Sequence, residues 1–173
     1  MTILQGWRHC PRCQGALVGD ERRVECPECG FVAYGGGPVP TATAVVVDAD
    51  GRVLLGRRAV EPDRGKWDLP GGFIEDGEHP LEALHRELRE ETALEIEPGE
   101  FLGIWMDKYG YDSGAENTLN LYWEARVVSG DEQAADDVAE LRWFAPAELP
   151  WDDLAFECNE QVLSAWLARH EHP

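Results

Sequence analysis

The sequence predicts an α/β sandwich built around a mixed β-sheet, preceded by a small β-hairpin unit. β-branched and apolar runs bracket two segments of helical periodicity, the pattern of a sheet covered by helices. A glycine-proline break at 34–38 separates this part from a cysteine-rich N-terminus. At 173 residues, the chain has room for one ordinary domain and a small appendage. We expect the units to be 1–36 and 37–173.

Four cysteines of the N-terminal unit form two Cys-x-x-Cys pairs, Cys10 with Cys13 and Cys26 with Cys29. Two residues between thiolates let both sulfurs face one ion, and two such pairs complete a closed tetrahedral site of the structural zinc type. The residues between the pairs have a polar turn at 19–21 with apolar flanks, as a β-hairpin has. The segment resembles a zinc ribbon.

Two disulfides, or a redox role, are the alternatives for these cysteines. The start of the chain, MTILQGWRHC, has no basic stretch followed by an apolar core, so nothing there indicates export to an oxidising compartment. A matched pair of motifs at this spacing favours zinc over redox chemistry. Cys158 stands alone, and we expect it to be a buried, small apolar side chain.

The net charge of −19 excludes one class of partner. Residues 1–36 hold equal numbers of acidic and basic side chains, so the whole excess lies in 37–173. A long nucleic acid would be repelled, because affinity for it comes from Lys and Arg at the phosphates. A salt-adapted or highly soluble surface is the alternative explanation of the charge. No apolar run reaches the roughly 18 residues of a membrane span, and we expect a cytoplasmic protein.

The elements of the second unit follow from the pattern in order. Residues 41–59 have two apolar runs joined at Asp50-Gly51, which indicates a hairpin. Residues 61–66 read as a loop, and 67–73 as a short strand ending in a turn. A helix begins at Pro80, which suits a first helical turn. Strands are predicted within 101–109, 118–128 and 141–145, an acidic loop at 131–137 and a final helix over 151–169.

Three glutamates of the predicted helix share one face. At about 100° per residue, Glu87, Glu90 and Glu91 border the apolar stripe that contains Leu84 and Leu88. Like charges three or four residues apart cost a helix about 0.2–0.5 kcal/mol per pair, which suggests that a positive group completes the cluster. Carboxylates are the hard ligands that Mg²⁺ and Mn²⁺ prefer. A solvated charged face is the alternative.

The longer stretch 72–94, GFIEDGEHPLEALHRELREETAL, resembles the Nudix box, G-x5-E-x7-R-E-U-x-E-E-x-G-U with U aliphatic. The approach Leu69-Pro-Gly-Gly is also typical of that family. One fixed position departs, since Ala93 stands where the family has glycine. Alanine in a left-handed turn there would cost about 1–2 kcal/mol without touching the carboxylates. The matching positions are Gly72, Glu78, Arg86, Glu87, Leu88, Glu90, Glu91 and Leu94.

The resemblance implies a fold, a chemistry and a set of roles. Glu87, Glu90 and Glu91 would bind a divalent metal, Mg²⁺ or Mn²⁺, with the Gly71 carbonyl as a further ligand. Glu78 and Arg86 would pair and brace the loop and helix. The family hydrolyses a nucleoside diphosphate linked to another group by attack of water on phosphorus. The candidates for the general base are Glu87, Glu116 and Glu140.

The substrate is less well indicated. A zinc ribbon before a Nudix domain is similar to the NADH pyrophosphatase branch, but the SQPWPFP-type motif of that branch is absent. Where ADP-ribose hydrolases tend to have a proline after the box, this chain has Tyr109. Tyr111 lies near the tyrosine of some dinucleoside-polyphosphate hydrolases. The candidate substrate contacts are Arg57, Arg58, Tyr109 and Tyr111.

We therefore predict a metal-dependent pyrophosphohydrolase that cleaves ADP-ribose, a nucleotide sugar or a dinucleotide. Its partner would be a small nucleotide, and a homodimer is compatible with the sequence. The alternative is a non-catalytic nucleotide sensor or interaction module that uses the ribbon for docking. The complete set of carboxylates argues against that alternative, because a sensor has no need of all three.

Overall fold

The computed structural model describes residues 4–110 and 116–170. The N-terminal unit contains a small antiparallel sheet of strands β1 (Val18–Gly19), β2 (Arg23–Glu25) and β3 (Val32–Tyr34), in that order. β1 and β2 form the hairpin predicted between the cysteine pairs. Asp20 closes its turn, because its Oδ1 accepts the backbone N–H groups of Arg22 and Arg23 at 2.8 and 3.1 Å.

The second unit is built on a seven-stranded mixed sheet. The order along the sheet is β10-β5-β4-β9-β8, with β6 paired to β5 and β7 paired to β4. β4 and β9 run parallel, and the other described pairs are antiparallel. The strands are β4 (Val39–Val47), β5 (Val53–Arg58), β6 (Trp67–Asp68), β7 (Gly71–Phe73), β8 (Glu95–Tyr109), β9 (Glu116–Ser129) and β10 (Val138–Phe144).

A split in this sheet opens beside β4. The predicted hairpin of β4 and β5 exists, but the two strands pair only at Val47 and Val53. Further along β4, its edge is taken by β7, with Thr43 opposite Gly71. Between these two pairings the N–H of Ala44 donates to the carbonyl of a loop residue, Pro70, at 3.0 Å. The split lets side chains from one face of the sheet reach the other.

One helix covers each face of the sheet, which confirms the predicted sandwich. α1 (Pro80–Thr92) buries Leu84 and Leu88 against Ala44 and Val46 of β4. α2 (Glu157–His170) packs on the opposite face, where its Val162, Leu163 and Trp166 meet Val45 and Tyr122. Alternate residues of one strand therefore serve two cores, as the two-residue period of a strand requires.

The ends of α1 are defined by side chains and by a left-handed residue. His79 is the N-cap, and its Nδ1 accepts the N–H of Leu81 at 3.2 Å while Glu82 accepts the N–H of His79. At the other end Ala93 has φ 58° and ψ 17°, and its N–H donates to the carbonyl of Arg89 at 3.0 Å. The turn therefore keeps the backbone shape for which glycine is suited.

Two boundaries differ from the prediction. The C-terminal helix begins at Glu157 and not at 151, because 3₁₀ turns at Pro146–Glu148 and Trp151–Asp153 precede it. The N–H of Ala155 then donates to the Trp67 carbonyl at 2.8 Å, which ties this segment to β6. β8 begins at Glu95, well before 101, and passes through bulges near Pro98 and Gly103. None of the described helices is long and apolar enough to cross a membrane.

Candidate functional site

The four cysteines predicted to bind zinc come together at one point. All four sulfurs lie within 4.8 Å of one another, with Cys10 and Cys29 at 3.5 Å and Cys13 and Cys26 at 3.4 Å. These separations are far longer than the roughly 2.05 Å of a disulfide, and all four cysteines are free. They approach the roughly 3.8 Å between sulfurs of a tetrahedral site with Zn–S bonds of about 2.3 Å. The cluster fits a zinc ion.

The two cysteine pairs have the same backbone shape. The N–H of Gln14 donates to the Cys10 carbonyl, and the N–H of Gly30 donates to the Cys26 carbonyl, both at 2.9 Å. Gln14 and Gly30 also share the left-handed conformation, with φ 65° and 71°. Each pair therefore sits in a tight turn that ends directly after its second cysteine, and the turn aims both sulfurs at one point.

At the other site, Arg86 organises the glutamates of the box. Its Nε and Nη2 donate to both carboxylate oxygens of Glu78 at 2.9 and 2.8 Å, which is the predicted brace. Its Nη1 donates to Glu87 at 2.7 Å and to Glu90 at 3.3 Å. Nη2 also donates to the Phe73 carbonyl at 3.0 Å. One guanidinium thus fixes the loop before α1 and two of the three predicted metal ligands.

The glycines before the box make room for this arrangement. A Cβ at Gly72 would lie 2.5–2.7 Å from the carboxylate atoms of Glu87. Gly71 has φ 144°, and a Cβ there would lie 2.4 Å from the carbonyl oxygen of Ala42. The N–H of Gly71 donates to Glu91 at 2.9 Å, which holds that carboxylate at the split in the sheet. Gly71 is therefore required by the backbone around it, and Gly72 leaves room for the carboxylate of Glu87.

The carboxylates differ in their electrostatic environments. Hydrogen bonds from Arg86 lower the pKa of Glu78 to about 2. Burial raises the pKa of Glu87, against the opposing effect of Arg86. Burial raises the pKa of Glu91 well above its usual value, although the Gly71 N–H favours the charged form. Glu91 is only 9% exposed, so its charged form lacks compensation by solvent.

The three predicted metal ligands line one cleft but do not converge as the sulfurs do. Within residues 4–110 and 116–170, only the cysteine cluster brings three metal-binding groups within 4.8 Å of one another. Arg86 holds Glu87 and Glu90, while the Gly71 N–H holds Glu91. Carboxylate oxygens are the ligands that Mg²⁺ and Mn²⁺ prefer, so the donor set fits such an ion.

The cleft has a volume of about 290 Å³ and runs across the sheet. Its wall includes the box glutamates and also aromatic rings from three parts of the chain, Phe73, Tyr109 and Phe156. Polar side chains of β4 and β9 form its floor. This lining suits a ligand that has both an anionic group, bound through a metal, and a planar group.

The predicted substrate contacts have different locations. Arg58 lines the cleft, with Nε bonded to the Pro62 carbonyl, Nη1 to Asp68 at 2.7 Å and Nη2 to the Tyr109 hydroxyl. Tyr109 also lines the cleft. Arg57 does not, and its guanidinium lies over the Trp67 ring at 4.9 Å. Tyr111 lies outside the described residues.

The candidates for the general base also separate. Glu87 lines the cleft, whereas Glu140 is on β10 beside Arg57, with a closest approach of 3.7 Å. Glu116 is exposed at the start of β9 and is absent from the described cleft wall. The loop after β9 adds Asp136 and Asp137 to the wall, and neither was predicted.

Other residues of the cleft were not predicted from the sequence. Asp68 accepts hydrogen bonds from Arg58 and from Nδ2 of Asn159, both at 2.7 Å, and Asn159 is 91 positions away in the chain. Burial raises the pKa of Asp68. Asp107 and Asn120 reach the cleft from neighbouring strands. Nothing local in the sequence marks these polar residues, because only the pairing of distant strands and α2 brings them together.

Comparison with known proteins supports the resemblance to the Nudix family. A model of the NUDIX domain family matches residues 37–166. An ADP-ribose pyrophosphatase of Methanocaldococcus jannaschii is 31% identical over 70% of this chain and 69% of its own length. An NAD-capped RNA hydrolase, NudC, of Pseudomonas aeruginosa is 27% identical over 94% of this chain, but this chain covers only 56% of it.

A solved structure extends the similarity to nearly the whole chain. The crystal structure of a NUDIX hydrolase from Nitrosomonas europaea superposes with a TM-score of 0.78 at 26% identity, and covers 96% of this chain and 93% of that one. The relatives are pyrophosphohydrolases, which supports a catalytic role for the box. Together with the cysteine cluster of a zinc ribbon, these matches show that the chain belongs to the Nudix hydrolase family.

Proposed function

We propose that this chain is a metal-dependent pyrophosphohydrolase that cleaves the diphosphate of a small nucleoside diphosphate derivative. Substrates of the ADP-ribose, nucleotide-sugar or dinucleotide type fit this proposal. The observation that carries it is the cleft whose wall holds both the box glutamates and aromatic rings. The activities for which the two relatives are named differ, so they support the chemistry and leave the substrate to be tested.

In this proposal Glu87, Glu90 and Glu91 hold Mg²⁺ or Mn²⁺, with the Gly71 carbonyl as a further ligand, and the four cysteines hold structural zinc. A bound divalent ion lowers the pKa of a water molecule and neutralises charge on the phosphate oxygens. Arg86 keeps the carboxylate of Glu87 in position, because it bonds Glu87 and Glu78 together. The Gly71 N–H orients Glu91 toward the same end of the cleft.

Two further roles follow for the side chains of the cleft. Glu87 is the preferred general base among the three predicted candidates, because it alone lines the cleft in the described residues. It would take the proton of the attacking water at a carboxylate oxygen. Arg58 offers the substrate two N–H groups beyond the three used by Pro62, Asp68 and Tyr109. We propose that it contacts a phosphate or stabilises the planar end of the ligand.

The unit boundaries at 1–36 and 37–173 belong to the same proposal. They are supported by the family match, which begins at 37, and by the separate sheet of the first unit. A homodimer and a cytoplasmic location stay predictions from the sequence. The proposed substrates do not include a long nucleic acid, because the acidic surface would repel it.

The test is a panel of ADP-ribose, nucleotide sugars, dinucleotides and nucleoside triphosphates incubated with purified protein and Mg²⁺. We expect hydrolysis of at least one member, and Glu90→Gln should abolish it. Glu140→Gln is the matched control, because that exposed glutamate pairs with Arg57 away from the cleft, and it should retain full turnover. Hydrolysis of no member of the panel, with nucleotide still bound, would favour the sensor.

A further inference from the structure

Polar side chains form the floor of the cleft where β4, β9 and β8 lie side by side. Their hydrogen bonds fix which groups donate and which accept. Asn120 of β9 is opposite Thr41 of β4 on one side and Trp105 of β8 on the other. Two residues earlier on β9, Thr118 is opposite Asp107. Side chains at this two-residue spacing face the same side of a sheet, so these groups form one surface.

Asn120 determines these donor and acceptor roles. Its Nδ2 lies 3.2 Å from the Trp105 carbonyl, which can only accept, so the nitrogen of the amide must be on that side. The same nitrogen donates to the Thr118 hydroxyl at 3.0 Å. The amide oxygen accepts the hydroxyl hydrogen of Thr41 at 2.8 Å. Asn120 is 7% exposed, so water does not compete for these bonds.

One consequence is an unused donor on Thr118. Its oxygen receives a hydrogen from Asn120, so its own hydrogen is free to point elsewhere. In the described part of the chain that hydrogen has no acceptor, although Thr118 is only 4% exposed and lines the cleft. A buried hydroxyl without an acceptor is costly, and a ligand acceptor in the cleft would satisfy it.

Asp107 supplies an acceptor beside this donor. Its Oδ1 accepts the N–H of Lys108 at 2.7 Å, and its Oδ2 accepts the N–H of Cys158 at 2.8 Å. These bonds hold the carboxylate still between β8 and α2. A carboxylate has about four lone-pair sites, and no cationic side chain among the described residues pairs with this one. Side chains directly opposite on antiparallel strands have Cβ atoms about 4.5–5.5 Å apart, so Asp107 and Thr118 present an acceptor next to a donor.

An aromatic wall stands beside this pair. Tyr109, two residues after Asp107 on β8, lies 5.3 Å from the Phe73 ring and 5.8 Å from the Phe156 ring. Such rings stack on planar heterocycles. Tyr109 and the box glutamates line the same cleft, so a nucleotide with its phosphates at the box can bring its base to this aromatic wall.

We propose that Asp107 and Thr118 read the edge of a nucleobase that carries an exocyclic amino group beside a ring nitrogen, as adenine and cytosine do. The amino N–H donates to Asp107, and the ring nitrogen accepts from Thr118. Hypoxanthine and uracil in the same orientation would place a carbonyl oxygen against the carboxylate. This inference rests on the proposed function in one respect, because it places the phosphates of the ligand at the box.

Calorimetric titration of the full-length protein with AMP and IMP, in the presence of Mg²⁺, tests this reading, with CMP and UMP as a second pair. We expect the amino-bearing member to bind about tenfold tighter in each pair, the usual scale for one hydrogen bond gained and one repulsion avoided. Equal affinity within either pair, or no binding of either purine nucleotide, would overturn the proposal.

Two substitutions separate recognition from folding. Asp107→Asn should bring the AMP-to-IMP affinity ratio to within about twofold of unity, because the amide can present a donor or an acceptor. Thr118→Val should weaken AMP binding about fivefold or more. Thr118→Ser, which keeps the hydroxyl, is the matched control and should bind AMP like the natural protein. A ratio unchanged in Asp107→Asn, or AMP affinity unchanged in Thr118→Val, would contradict the assignment.

Turnover distinguishes this inference from the proposed function. We expect kcat/KM for ADP-ribose to exceed that for its hypoxanthine analogue about tenfold, with the difference in KM. Hydrolysis of both at equal kcat/KM would refute the reading of the base and leave the hydrolase intact. Discrimination between AMP and IMP without hydrolysis of any substrate would refute the hydrolase and leave the reading of the base intact.

Discussion

The cysteine cluster and the glutamate end of the cleft are both suited to a metal, but they are built in opposite ways. In the ribbon, backbone turns bring four sulfurs within 4.8 Å of one another. In the cleft, the carboxylates are positioned by other groups of the protein, two by Arg86 and one by the Gly71 N–H. The first arrangement would close around an ion with protein ligands alone, and in the second the three carboxylates do not converge.

The difference follows from what each site must do. A structural site uses all its positions for protein ligands, and its geometry can be complete in the folded chain. A catalytic magnesium site keeps positions for water and phosphate. If the cleft is such a site, as proposed above, Arg86 would offset the mutual repulsion of Glu87 and Glu90, to both of which it donates hydrogen bonds. The contrast teaches that an arginine beside acidic side chains can organise a metal site.

Chelation should separate the two sites most strongly. With millimolar EDTA we expect complete loss of turnover, restored by excess Mg²⁺, because an open carboxylate site exchanges its ion freely. Zinc should stay bound at about one equivalent per chain after rapid gel filtration. Metal analysis and activity measured on the same fractions provide the check. Loss of zinc in parallel with activity would break the distinction.

Glu91→Gln should have opposite effects on activity and stability. We expect turnover to fall on the order of a hundredfold or more, because a metal ligand loses its charge. The metal-free protein should become more stable by on the order of 1 kcal/mol, since burial raises the pKa of Glu91 and its charge is costly near neutral pH. Thermal unfolding in EDTA measures this, with the exposed Glu160→Gln as control. A lower melting temperature than the control would contradict it.

Glu78 should contribute to acid sensitivity. Arg86 lowers the pKa of Glu78 from 4.5 to about 2. The unfolded chain therefore takes up a proton near pH 4.5 that the folded chain refuses until about pH 2, and stability falls as the pH falls through this window. Urea unfolding at intervals across it should show a smaller pH slope for Glu78→Gln. An identical slope would show that Arg86 does not hold this carboxylate.

Ala93→Gly should have the smallest effect. Ala93 has φ 58°, which costs about 1–2 kcal/mol for a residue with a Cβ. Glycine removes that cost but adds about 0.5–1 kcal/mol of backbone entropy to the unfolded chain. We expect a net gain in unfolding free energy of at most about 1.5 kcal/mol and turnover within about twofold. A gain of orders of magnitude in turnover would mean that the helix end controls the metal ligands.

The ribbon and the box helix were predictable because their information is local. Two short cysteine motifs specify one cluster, and a helix wheel placed Glu91 next to the buried stripe, where the structure has it 9% exposed. The sequence also predicted a strained, left-handed turn at Ala93, and the backbone has that conformation. Within such segments, periodicity and spacing fix which side chains share a face.

The aromatic and polar end of the cleft was not predictable in the same way. Asp107 and Thr118 lie opposite each other only because β8 pairs with β9 in this register, and a shift of β8 by one residue would turn Asp107 to the other face of the sheet. The predicted contact Arg57 faces Trp67 because neighbouring residues of a strand point to opposite sides, so Arg58 and not Arg57 enters the cleft. Which residues face the cleft therefore depends on how strands distant in the sequence pair.

The missing side chain at Gly72 has a consequence for the position of a side chain distant in the sequence. A Cβ there would lie 2.5–2.7 Å from the carboxylate atoms of Glu87, so a larger residue at 72 requires that carboxylate to move. The carboxylate is the far end of a flexible side chain and can rotate away, but rotation would break its hydrogen bond to Arg86. Alanine at 72 would therefore act on the aim of Glu87 more than on the fold, although fourteen residues lie between the two positions.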